Sequence, residues 1–127
     1  MPKRESIHIP PVKHGNNPIP FASKVNNMLF TGGIMGADSE TGQVPEDVGE
    51  QVKNCFNNLK KTLAKAGGSM DGVGLMTVFL KNNDVRPLVN PVWIEHFPDE
   101  NNRPARHTIV QENLPYPIQI EVIAVLD

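Results

Sequence analysis

Two charges stand in runs that otherwise read as buried sheet. Arg106 lies in ARHTIVQ (Ala105–Gln111) and Glu121 in IQIEVIAVL (Ile118–Leu126). A guanidinium is a planar fork that matches a carboxylate through two parallel hydrogen bonds. A carboxylate placed beside water can take a proton and return it. Burial would raise the pKa of such a group, and a nearby arginine would lower it. The pair could therefore bind a small carboxylate and activate a water. Plainer readings stay open: Arg106 as an edge-strand side chain in solvent, or the two residues as a structural ion pair.

Other reactive side chains point to less. His8, His14, His96 and His107 have no short ligand spacing, and the neighbours Glu95 and His96 would diverge on a helix, so no metal site is expected. Cys55 is the one cysteine and falls on the apolar stripe of a helix, which suits a core thiol better than a nucleophile. The run TGGIMG (Thr31–Gly36) ends a strand, but no helix follows at once as a phosphate loop requires. Its glycines suit a turn, or a close approach of backbone to a ligand. Trp93 and Phe97, four apart, read as helix packing.

These residues must be positioned by a short chain. Its 127 residues fit one domain, spanning 1–127. Twelve Lys+Arg against fourteen Asp+Glu leave a net charge of −2 with no basic stripe, which argues against nucleic acid as a partner. No apolar run approaches the ~18–20 residues of a membrane span, and MPKRESIHIPP lacks the apolar core of a signal peptide. The expectation is a soluble, cytoplasmic protein.

The spacing of Val48, Val52, Cys55, Phe56, Leu59, Leu63 and Ala66 predicts an amphipathic helix over Glu46–Ala66. Glu46 and Asp47 suit its first turn, and Gly67-Gly68 suit its end. A second helix is expected within Asn83–Phe97, with Asp84 near the cap and a first half made irregular by Pro87 and Pro91. Strands are expected at Phe21–Val25, Met28–Gly33, Val73–Asn82, Ala105–Gln111 and Ile118–Leu126, the first two joined at Asn26-Asn27. PPVKHGNNPIP reads as loop. The order predicts an α+β fold, one mixed sheet with two helices on one face.

Both faces of the last strand are apolar apart from Gln119 and Glu121. In the strand after the first helix, Val73, Leu75, Thr77 and Phe79 oppose Gly74, Met76, Val78 and Leu80. Two helices cover one face, and a sheet face open to water should be polar. The expectation is an oligomer that packs sheet against sheet, the N-terminal loop being the other possible cover. An arginine turned to that face would need an anionic partner or ligand.

RPARHTIV, then LP, then IQIEVIAV resembles the closing signature of the Rid family, also called the YjgF or L-PSP endoribonuclease family. VNNMLFTGGI, the helix with its TGQVP lead-in and AGGSMDGV exit, TVFLKN and VNPVWIEHF follow the family's order over nearly the whole chain. The resemblance implies a chorismate-mutase-like α+β fold and a homotrimer whose sheets enclose a central barrel-like interface. It implies ligand sites in the clefts between subunits, no metal or organic cofactor, and hydrolysis of small enamine or imine acids such as 2-aminoacrylate to the keto acid and ammonia. By position, the carboxylate-binding arginine falls on Arg106 and the water-handling glutamate on Glu121. The ligand-contacting glycine falls on Gly33 and the helix asparagine on Asn90. Two positions depart from the pattern: Ile19 stands where a tyrosine is common, and Thr108 where a cysteine is common. The tyrosine's role of orienting substrate or solvent is then missing or supplied by another group, such as His14. Alternatives are a deaminase of another enamine (2-aminomuconate or 3-aminoacrylate), a non-catalytic small-carboxylate binder or chaperone-like trimer, and an endoribonuclease. The net charge and the absence of a facing histidine pair argue against the last.

Overall fold

The computed structural model of the protein describes residues 3–127. Its strands are β1 (Arg4–Ile7), β2 (Ala22–Val25), β3 (Met28–Thr31), β4 (Ile34–Met35), β5 (Val73–Leu80), β6 (Ala105–Val110) and β7 (Ile118–Val125). Its helices are α1 (Val48–Ala66) and α2 (Arg86–His96). The strands form one mixed sheet in the order β1-β2-β3-β7-β5-β6, with β4 also paired to β7. Only β5 and β6 run parallel, and α2 is the crossover between them. This is the α+β plan expected, with both helices on one face.

Each element forms for a local reason. The Asp47 carboxylate accepts a hydrogen bond from the Glu50 backbone N–H and caps α1, so Asp47 precedes the helix rather than lying in its first turn. Gly67, with φ of 94°, ends it. Val52, Cys55, Phe56, Leu59 and Leu63 are fully buried against the sheet, as the spacing predicts. Full burial of one such side chain contributes about 1.5–3 kcal/mol. The irregular start of the second helix is a 3-10 turn at Asn83–Val85, capped by the Asn82 side chain rather than by Asp84. The β2–β3 hairpin turns at Asn26, whose φ is 54°.

Three features differ from the expectation. β1 and β4 are strands that were not anticipated, both too short to show an alternation of faces. Val73 shares the buried face with Met76, Val78 and Leu80, because a bulge between Val73 and Leu75 shifts the register by one residue. The apolar residues of the N-terminal segment (Ile7, Ile9, Val12, Phe21) join the helix-side core, so they do not cover the second face. Phe30, Ile123 and Val125 remain 42%, 39% and 48% exposed there. Among the described residues no helix is long and apolar enough to cross a membrane.

Candidate functional site

Register decides where the two charges point. Arg106 is level with Met76 on β5, and Met76 with Val122 on β7, so Arg106 lies on the helix-covered face. Glu121 is level with Thr77, and Thr77 with His107, so Glu121 lies on the other face. Arg106 therefore does not turn to the uncovered face, and the two residues cannot pair within one chain. The sequence places Arg106 correctly with Thr108. It does not say to which face that set belongs, because β6 is an edge strand whose alternation is weak on both sides.

At the sheet edge Arg106 meets α2. Its Nη2 donates to Asn90 Oδ1 at 2.8 Å, and its guanidinium carbon sits 4.8 Å from the centre of the Trp93 ring. Asn90 and Trp93 are one helical turn apart, so α2 presents both to the same guanidinium. A cation–π contact and a hydrogen bond fix the fork without neutralising it. Nη1 has no hydrogen-bond partner among the described residues. Burial, with a smaller push from the nearby Arg86 cation, lowers the Arg106 pKa below its ordinary value. Arginine remains a cation at neutral pH all the same. This is an oriented, uncompensated positive charge, suited to an anion. Thr108 is half-buried, two residues along the same face.

Glu121 is half-buried in a concavity of about 230 Å³ lined by Phe30, Thr31, Leu75, Thr77 and Ile123. Gly33 precedes β4, and a Cβ there would meet the Gln119 side chain at 2.8 Å. Gln119 is on the Glu121 face, so Gly33 and Glu121 belong to one surface. Two amides of α1 hold this turn in place, and a third holds the segment that leads into the helix. Asn54 Nδ2 donates to the Gly36 carbonyl, Asn58 Nδ2 to the carbonyls of Met35 and Ala37, and Gln51 Nε2 to that of Pro45.

Beside Gln119 lies a second concavity of about 220 Å³, lined by Lys13, His14, Asn17, Met35, Tyr116 and Gln119 among others. His14 packs tilted against Phe21 with ring centres 4.7 Å apart. Its Nε2 is shielded and unpartnered among the described residues. Burial lowers its pKa, so the ring is neutral at neutral pH. Ile19 is 53% exposed in the preceding loop and is not among this pocket's lining residues. Lys13, Tyr116 and Gln119 were not anticipated. Gln119 was legible as the polar residue two before Glu121, whereas Tyr116 is brought to His14 by two loops distant in sequence. Cys55 is fully buried, which pushes its thiol pKa up. His96 stacks on Phe56, 5.1 Å away.

The mixed sheet with two helices on one face is the fold of L-PSP-type α+β proteins. The sequence profile described as endoribonuclease L-PSP matches residues 17–126, and the chain belongs to this family, the Rid family. It is 30% identical over 102 residues to the 2-iminobutanoate/2-iminopropanoate deaminase of Escherichia coli strain K12, covering 80% of each chain. It is 33% identical over 89 residues to the 3-aminoacrylate deaminase RutC of Acinetobacter baylyi, covering 69% of each. The crystal structure of a putative endoribonuclease from Thermotoga maritima superposes with a TM-score of 0.86 at 32% identity, over 97% of this chain and 98% of that one.

Proposed function

We propose that this protein hydrolyses small imine or enamine carboxylic acids, 2-aminoacrylate among them, to the keto acid and ammonia, at sites assembled between copies of the chain. One observation carries the reading. The fixed, uncompensated Arg106 and the water-accessible Glu121 lie on opposite faces of one sheet, and the Glu121 face is apolar and uncovered. A second copy of the chain would bring its Arg106 to that glutamate. Three copies in a closed ring would cover the face and use every site. The relatives with deaminase names support the same chemistry.

In this mechanism 2-aminoacrylate first tautomerises to 2-iminopropanoate. Arg106 of one copy holds its carboxylate bidentately, with Asn90 and Trp93 keeping the fork in register. The Gly33 turn brings backbone close to the bound acid, while Thr108 and Ile19 border the substrate. Glu121 takes a proton from water as the oxygen bonds to the imine carbon and passes it to the imine nitrogen, giving a carbinolamine. Glu121 then takes the carbinolamine hydroxyl proton and delivers it to the amine nitrogen as the C–N bond breaks, and pyruvate and ammonia leave.

The test is to generate 2-aminoacrylate with a serine or cysteine lyase and follow pyruvate release. The wild-type protein should accelerate it. Arg106→Ala should lose about a hundredfold or more of that acceleration with its sedimentation unchanged. Full activity in Arg106→Ala would remove the clamp. No acceleration with 2-aminoacrylate, nor with a panel of oxidase-generated imines, would remove the deaminase.

A further inference from the structure

The concavity beside Gln119 is chemically one-sided. Lys13 brings an ammonium, Asn17 and Gln119 bring amides, Tyr116 brings a hydroxyl, and His14 brings a shielded ring nitrogen without a partner. Among the described residues no carboxylate lines it. Tyr116 is the chain's one tyrosine, held between Pro115 and Pro117 and 37% exposed. A polar tip that wets one wall of a pocket while prolines stiffen its backbone is a pre-organised donor. Gln119 also touches the Gly33 turn, so the concavity continues the surface on which Glu121 lies.

We propose that this pocket receives a second carboxylate of the substrate, so that the protein prefers imino acids with a short acidic side chain over those with an alkyl one. The proposal rests on the deaminase reading for its first carboxylate, the one on Arg106. In this arrangement Lys13 supplies the opposite charge, and Tyr116 and the amides supply directed hydrogen bonds. His14 stays uncharged and forms part of the wall. An alkyl side chain in the same place would make none of those bonds, so it gains less binding. About 220 Å³ holds such a short acidic chain.

Binding and turnover test this separately. Calorimetry on the intact protein would compare succinate and glutarate with butyrate and valerate, the monocarboxylates of matching length. The dicarboxylates should bind about tenfold tighter. Lys13→Met and Tyr116→Phe, both at surface positions, should each shrink that ratio, and together bring it near one. Equal affinity for the two classes in the wild-type protein, or a ratio that survives both substitutions, overturns the pocket. In the kinetic arm, imines made by oxidases from aspartate or glutamate should be hydrolysed with higher kcat/KM than those from alanine or leucine. A protein that shows the binding ratio but hydrolyses no imine keeps the pocket and loses the deaminase. One that hydrolyses acidic and alkyl imines equally, with no binding ratio, keeps the deaminase and loses the pocket.

Discussion

His14 shows how one half-buried ring sets a pH limit. Its pKa is lowered from the ordinary 6.5 by burial, so the unfolded chain takes up the proton more readily than the folded one. The stability tied to this residue is complete above pH 6.5 and is lost as pH falls from there through the lower folded value. His14→Gln removes that part of the slope. Thermal melts at about pH 7.5 and about pH 5.5 should show a smaller fall in Tm for the variant than for the wild type, and equal falls would place the proton elsewhere. At this scale much was legible. Arg106 and Glu121 stand out because a charge in an apolar strand needs a reason. Asn90 was reached only by resemblance, and its hydrogen bond to Arg106, sixteen positions away, was not anticipated. Lys13 and Tyr116 gave no signal, since loop residues carry no periodicity and their meeting depends on the folded chain.

Among the elements, α1 does more than bury a stripe. Its polar flank carries Asn54 and Asn58, which tie down the carbonyls of Met35, Gly36 and Ala37, and Gln51, which holds that of Pro45. Gly36 allows that contact. A Cβ there would lie 2.3 Å from the Gln51 carbonyl oxygen and 2.6 Å from its Cα, and backbone of that kind cannot move aside. Gly36→Ala should cost about 1–3 kcal/mol, seen as a lower urea midpoint with an unchanged slope. A variant as stable as the wild type would mean that α1 and the turn part easily. Gly33→Ala should cost less stability, because its Cβ would meet only the movable end of Gln119. The apolar stripe of α1 was plain from spacing. The buried amides were not, because on a helical wheel they look like a solvated flank. The bulge that turns Val73 inward was hidden too, since an alternating run reads the same with or without one extra residue.

Across the whole molecule, the second apolar face was visible in the two central strands, and the structure leaves it bare in a single chain. What the sequence could not convey was that the sheet sets Arg106 and Glu121 on opposite faces, with β5 between the strands that carry them. β6 and β7 are about 10 Å apart across that strand, and their two side chains point away from one another. A chain that has lost Arg106 still owns an intact Glu121, and a chain that has lost Glu121 still owns an intact Arg106. Neither alone would turn over substrate. Mixed before assembly, or unfolded and refolded together, the two dead chains should complement each other. In a ring of three, random mixing in equal amounts restores about a quarter of the sites. Recovery of pyruvate release in the mixture, absent from either variant alone, is the expected result; a mixture as silent as its parts would return both residues to one chain. The sheet would then make catalysis a property that two defective alleles can share.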